Sequence, residues 1–133
     1  MVVKTNSQWH LVYCDEYISY CPVTDFIESV PEMHQVKIMR FLALLEELGP
    51  NLHRPYADLL RDGIHELRIS LSGEQVRMLY FFCYRKFIVL YYAFVKNTSR
   101  VPESFIRKVS LYRNDFLSRM DPVSLERQID AAF

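Results

Sequence analysis

Three consecutive apolar runs of strand length, separated by only a few polar residues, most constrain how this chain can fold. They lie within residues 63–69, 76–80 and 87–95 and are dominated by Ile, Leu, Val, Phe and Tyr, the residue types favoured in strands. Ser72-Gly73-Glu74 and Tyr84-Arg85-Lys86 supply the breaks. Breaks this short favour an antiparallel meander, because parallel neighbours need long crossover connections.

Helical periodicity flanks these strands. Thr24 can cap a short helix over residues 25–30, and Pro31 suits the first turn of a second helix that Gly49-Pro50 ends. We expect this second helix to bury apolar residues at three-residue steps, with three more widening the stripe: Val36, Met39, Leu42 and Leu45, then Ile38, Phe41 and Leu48.

Beyond the strands, Pro102 opens a third helix, and a short fourth helix is expected over residues 121–131. The third helix carries an apolar stripe made of Phe105, Val109, Tyr112 and Phe116. A first strand is expected over residues 8–14 and a helical turn over residues 56–61. The predicted fold is α+β, a small antiparallel sheet with an N-terminal helical hairpin on one face and a C-terminal helix.

Length and composition predict a single domain over residues 1–133, with a core that needs neither metal nor disulfides. The three widely spaced cysteines, Cys14, Cys21 and Cys83, argue against a disulfide framework and fit a reducing compartment. No signal peptide is evident, and the longest apolar run is too short to span a bilayer. We therefore expect a soluble, cytoplasmic protein.

Charge is distributed unevenly along a chain whose net charge is zero. Residues 61–113 contain ten Lys or Arg and four Asp or Glu, a net charge of +6, and the remainder of the chain carries −6. Such asymmetry indicates a surface that faces a polyanion. The alternative is that the two parts pair in the fold and cancel.

Three cations, Arg68, Arg77 and Lys96, lie within or at the end of the apolar strands, where a charged side chain usually marks an open sheet face. We expect Arg77 on that face, between the strands of the other two, because Val76, Met78 and Tyr80 alternate with it. The alternative is local ion pairing, Arg68 with Glu66 and Arg77 with Glu74.

The order of these residues carries a resemblance. Asp62-Gly63-x-x-Glu66-Leu67-Arg68, Arg77-x-x-Tyr80 and Phe94-x-Lys96-x-Thr98, with Pro102 beyond, resemble the RelE/ParE superfamily of toxins, in particular its HigB-like, phage-derived branch. The likeness covers about residues 9–118 and leaves 119–133 as a C-terminal extension. It implies the toxin of a type II toxin–antitoxin system that cleaves mRNA on the ribosome and is held by an antitoxin, such as a HigA-like helix-turn-helix protein.

Under that resemblance the three cations become catalytic candidates. Cleavage through the ribose 2′-hydroxyl needs the phosphate charge stabilised and the leaving oxygen protonated. Arg77 would clamp the phosphate, Arg68 would position it, and Lys96 would steer RNA or donate the proton. Asn97, Tyr92 and Arg113 are candidate substrate contacts; Asn97 is neutral where the branch commonly carries a second cation, which weakens the case for cleavage.

No metal or cofactor is expected, because the four histidines show no ligand spacing and no carboxylates cluster beside them. Two other functions share the same fold: a ParE-type toxin that inhibits DNA gyrase, and an inactive module that keeps only antitoxin binding. The cations on the open sheet face favour RNA cleavage over both.

Overall fold

The computed structural model describes residues 9–14 and 21–131, with side chains described up to residue 128. The strands are β1 (His10–Tyr13), β2 (Ala57–Arg61), β3 (Ile64–Leu71), β4 (Glu74–Cys83) and β5 (Phe87–Val95). The helices are α1 (Pro22–Ser29), α2 (Glu32–Leu48), α3 (Glu103–Arg119) and α4 (Pro122–Ala131). The predicted α+β class, the four helices and the meander β3–β4–β5 are confirmed, but α1 begins at Pro22, so Thr24 lies inside the helix and does not cap it. Among the described residues, no helix is both long and apolar enough to cross a bilayer.

The five strands form one mixed sheet in the order β1-β5-β4-β3-β2. Strands β3, β4 and β5 pair antiparallel as predicted and β2 pairs antiparallel with β3, but β1 pairs parallel to the first half of β5. The expectation of a purely antiparallel sheet was therefore wrong at this edge. The expected helical turn over residues 56–61 was also wrong, because Ala57–Arg61 forms the opposite edge strand β2.

The turn between β2 and β3 contains a hairpin signal that the prediction of a helical turn overlooked. Asp62 and Gly63 have φ angles of 53° and 76°, the left-handed pair that a two-residue hairpin turn requires. An Asp-Gly dipeptide between apolar runs is a strong hairpin signal. It could have identified β2 from the sequence.

The core lies on both faces of the sheet. One face, which carries Leu67, Ile69 and Met78, is fully buried beside α2. The other packs against α3, where Phe81 contacts Tyr112 and Phe116 at ring-centroid distances of 6.4 and 6.0 Å. The face that the sequence predicted to be open is thus covered by the C-terminal helix over much of its area.

A β-bulge in β5 determines which of its side chains contact α3. Leu79 pairs with Tyr92 but Tyr80 pairs with Leu90, so the register shifts by one residue at Tyr91. Both tyrosines therefore reach the third helix: Tyr91 stacks on Tyr112 at 4.3 Å and Tyr92 contacts Phe105 at 4.9 Å.

Helix α2 differs from its predicted burial. Ile38, Leu42 and Leu45 are fully buried, whereas Val36 and Met39 are 46% and 49% exposed. Each three-residue step turns about 60° short of a full rotation, so the predicted stripe drifts around the helix and cannot all face the core. The helix ends as predicted at Gly49, whose φ is 52°.

The expectation for the cysteines was wrong in part. Cys14 and Cys21 form a disulfide, with Cα atoms 5.4 Å apart, which ties the end of β1 to the start of α1. Cys83 is a free, buried thiol, and burial raises its pKa to about 12. The disulfide removes the argument from cysteine spacing for a reducing compartment.

His65 gives the fold a pH dependence. Its ring stacks on Tyr80 at 5.4 Å and meets Phe82 edge-on at 5.0 Å. Burial lowers the pKa of His65 below its ordinary value of 6.5, and the Asp58 carboxylate opposes only part of this shift. Below about pH 6.5 the unfolded chain therefore binds more protons at this site than the folded chain.

We therefore expect the melting temperature to fall as pH drops below about 6.5, with His65 contributing at most about 1.4 kcal/mol per pH unit. His65→Phe, which keeps the ring contacts, should reduce this loss. Thermal unfolding of both proteins across that range is the measurement. Identical pH profiles for the two proteins would contradict the assignment.

Candidate nucleic-acid interface

A groove of about 360 Å³ opens between the β2–β3 edge of the sheet, the segment after β5 and the start of α3. Its wall contains five cations and three carboxylates. The lining residues are Arg54, Asp58, Leu60, Arg61, Glu66, Arg68, Lys96, Ser99, Arg100, Val101, Glu103 and Ile106. The groove thus carries a positive balance in a chain whose net charge is zero.

Ion pairs already occupy the groove's carboxylates. Asp58 binds Arg54 at 2.7 Å, and Glu103 binds Arg61 at 2.7 Å. Within the described part of the chain, Lys96 and Arg100 form no ion pair. Their charges are therefore available to an anionic ligand.

Arg68 lines this groove with a side chain that is 28% exposed. Its Nε lies 3.9 Å from a Glu66 carboxylate oxygen, a long contact that matches the predicted alternative of a local ion pair. Directly across the ladder from Arg68 is Arg77. Two like charges in register repel, so a carboxylate beside them stabilises the pair.

Arg77 does not lie on an open face, which corrects the expectation from the sequence. Its side chain is only 2% exposed, and its Nε lies 3.4 Å from the other oxygen of Glu66, not near Glu74. Its Nη1 also donates a hydrogen bond to the carbonyl of Val76 at 3.1 Å. Burial lowers the pKa of Arg77, and Glu66 opposes that shift, while the guanidinium stays protonated at any ordinary pH.

Strand alternation placed Arg77 on the correct face, but α3 covers that face. Arg77 pairs in register with Phe94, and Phe94 packs on Phe105 of α3 at 4.7 Å. Arg77 therefore lies beneath the groove, linked to it through Glu66, which lines the groove and is itself buried. Because Arg77 is buried and paired with Glu66, we expect its removal to destabilise the fold.

Lys96 and Asn97 extend from the end of β5. The backbone of Lys96 donates a hydrogen bond to Gln75 at 2.7 Å, which fixes the residue as its half-buried side chain enters the groove. Asn97 is exposed beside it and is not among the lining residues. The structure therefore brings Lys96 to the site with Arg68 and leaves Asn97 at its margin.

Tyr92 and Arg113 have structural contacts instead. Tyr92 packs against Phe94 and Phe105, with the Lys108 ammonium 5.4 Å from its ring centre. Arg113 donates a hydrogen bond to the Asp62 carbonyl and thereby holds the β2–β3 turn. Neither residue lines the groove.

Sequence reasoning did not assign Arg54, Arg61, Arg100 or Glu66 to the site. Arg54 precedes the unrecognised strand β2 and Arg61 is its last residue, and the register of β2 places Asp58 directly opposite Glu66. Recognising the Asp62-Gly63 hairpin in the sequence would have predicted that these groups lie close together. Among the described residues, no three His, Cys, Asp or Glu side chains come close enough to hold a metal ion.

The buried Glu66–Arg77 pair predicts large effects on stability. Removing one member leaves an uncompensated buried charge, so Arg77→Ala should lower the free energy of unfolding by about 3–5 kcal/mol. The double variant Glu66→Gln with Arg77→Met removes both charges and should lose less than Arg77→Ala does. Arg107→Ala, at an exposed position on α3, is the matched control and should change it by less than about 0.5 kcal/mol.

Denaturant titration of the three variants measures these differences. An Arg77→Ala protein as stable as the control would show that the guanidinium is not held as described.

Comparison with known proteins places the chain in a family. No curated protein matches it significantly in sequence. The family model for "Phage derived protein Gp49-like (DUF891)" matches residues 25–110, which include every residue that lines the groove. The chain therefore belongs to the phage-derived Gp49-like proteins, a family known in toxin–antitoxin systems.

Proposed function

We propose that the chain is the toxin of a type II toxin–antitoxin system and acts as a ribosome-dependent mRNA endonuclease, with the groove as its RNA site. The observation that carries the proposal is the charge of that groove: Arg68, Lys96 and Arg100 face one cavity, and the last two lack ion-pair partners within the described residues. RNA offers the matching ligand, a chain of phosphates. Membership of a family known in toxin–antitoxin systems supports the toxin role.

The reaction would proceed through the ribose. The 2′-hydroxyl gives up its proton to solvent as its oxygen attacks the adjacent phosphorus, the bond to the 5′-oxygen breaks, and the products are a 2′,3′-cyclic phosphate and a free 5′-hydroxyl. Arg68 can stabilise the charge that builds on the phosphate, because a guanidinium binds two phosphate oxygens at once. Lys96 can donate the proton that the 5′-oxygen gains and recover one from solvent.

Arg77 enters this proposal as a positioning residue. Because it is buried, it acts through Glu66, which contacts Arg68 on the groove wall. Its charge holds the carboxylate in place, and the carboxylate in turn orients Arg68. This assignment replaces a direct phosphate clamp by Arg77.

Substitution of the cations on the groove wall tests the proposal. Arg68→Ala and Lys96→Ala should each reduce mRNA cleavage about a hundredfold or more and abolish growth arrest, since each removes one preorganised charge donor. Both should lower the melting temperature far less than Arg77→Ala does, because Lys96 forms no ion pair with a described residue and Arg68 makes only a long contact with Glu66. Primer extension on translated mRNA is the assay.

Arg107→Ala again serves as the control, because Arg107 is an exposed cation on α3 that does not line the groove. Wild-type cleavage by both groove variants would refute the RNA site.

Chelation tests the metal-independent chemistry. Protein treated with a chelator and returned to a translation reaction with enough magnesium for the ribosomes should cleave mRNA at an unchanged rate. The proposed reaction uses only side-chain charge and proton transfer, so removing metal ions from the protein should not slow it. Activity that disappears on treatment and returns only with a transition metal would contradict it.

An inactive, antitoxin-binding module is the second candidate, favoured by two specific observations. The residue expected to clamp the phosphate, Arg77, is buried, and Asn97 at the groove margin is neutral. If wild-type protein neither arrests growth nor cleaves translated mRNA, yet binds the product of a neighbouring reading frame, this reading replaces the first. A gyrase supercoiling assay on the same protein tests the ParE-type alternative, which predicts that gyrase is inhibited.

The partner in both readings is an antitoxin, for which we propose a HigA-like helix-turn-helix protein. A lethal cationic groove has to be kept from RNA, and an acidic or strand-adding segment of the partner can cover the groove or the β2 edge beside it. Ribosome and mRNA are the remaining partners under the endonuclease reading.

A further inference from the structure

The outer surface of α2 carries an apolar stripe that the fold does not cover. Met33 is 81% exposed, and Val36 and Met39 are 46% and 49% exposed. Met33 and Val36 lie on the side of α2 away from the buried Ile38 and Leu42, and Met39 lies at the edge of that side, about 60° around the helix from Leu42. A shallow groove of about 490 Å³ runs along the stripe, lined by Glu32, Gln35, Val36, Met39, Arg40 and Ala43.

The stripe is symmetric about Val36. Met33 and Met39 stand three positions to either side of it, and Glu32 and Arg40 stand four positions to either side. Glu32 and Arg40 are exposed, and neither forms an ion pair with another described residue. Apolar residues therefore match apolar residues across this centre, and the two charges there are opposite.

We propose that this stripe binds a second copy of the chain, with the two α2 helices antiparallel and a twofold axis at Val36. A twofold contact brings the same patch from both copies together, so the patch must complement itself. In this arrangement each Glu32 lies at the level of the partner copy's Arg40, about 6 Å along the helix from the axis. Each Met33 likewise lies level with the partner copy's Met39.

The charges select this orientation. A parallel pair would set Glu32 beside Glu32 and Arg40 beside Arg40, which is unfavourable at both ends. A contact between single helices falls at the low end of interface sizes, below about 1,200 Å² in total. Association is therefore expected to depend on protein concentration. The RNA groove lies on the α3 side of the sheet, so a copy bound at α2 leaves it open.

Charge exchange tests the ion pairs. Glu32→Arg and Arg40→Glu should each shift light-scattering mass from dimer toward monomer across a concentration series, because each places like charges together. The double variant Glu32→Arg with Arg40→Glu restores opposite charges and should restore the dimer. All positions are exposed, and unchanged circular dichroism and melting temperature in each variant confirm that folding is not the cause.

Cysteine cross-linking tests the axis. Val36→Cys should form an intermolecular disulfide on mild oxidation, since residues on a twofold axis face their own copies. Glu47→Cys, exposed on the same helix, is the matched control. Its two copies would be about 33 Å apart in the antiparallel pair and should not link.

Several results would overturn the proposal. A protein that stays monomeric at every concentration would do so, as would a double charge variant that fails to regain the dimer. Cross-linking of Glu47→Cys as readily as Val36→Cys would indicate a parallel pair and would also overturn it. A monomer that instead binds the neighbouring reading frame's product through this stripe, with binding lost in Val36→Asp, would also overturn it. Mass and cross-linking are measured without reference to cleavage, so these results stand apart from the test of the RNA site.

Discussion

The carboxylate of Glu66 is the interaction on which the centre of this structure depends. Arg68 and Arg77 stand directly opposite each other on neighbouring strands, and Glu66 contacts both, at 3.9 and 3.4 Å. Without a carboxylate there, two guanidiniums would repel across the ladder, and one of them is buried. One negative group thus allows the chain to bury a cation below the groove and present another on its wall.

Except for β2, the strands and helices could be predicted from sequence because their signals are local. Runs of strand-forming residues, short polar breaks and the Gly49-Pro50 stop all act within a few residues, and the structure agrees with each of them. The parallel pairing of β1 could not be read in this way. It joins segments more than seventy residues apart, His10–Tyr13 and the start of β5, and no local pattern records which distant edge a strand will meet.

Burial was harder to predict than secondary structure. Strand alternation gives the face on which a side chain lies, but it does not say whether another element covers that face. Arg77 was assigned to the correct face and is nevertheless buried, because α3 packs Phe105 over its neighbour Phe94. For α2 the difficulty was rotation: apolar residues at Val36 and Ile38 point to nearly opposite sides of one helix, and only the packing shows which side is the core.

The bulge at Tyr91 has a consequence for how such chains are compared. It accommodates one residue more in β5 than in β4, and beyond it Tyr92, Phe94 and Lys96 keep the alternation that brings Lys96 to the groove. A related chain without that extra residue would form a regular ladder and still point the corresponding lysine the same way. The number of residues across the bulge can therefore differ between related chains. Equivalent positions are better matched by strand register than by counting residues.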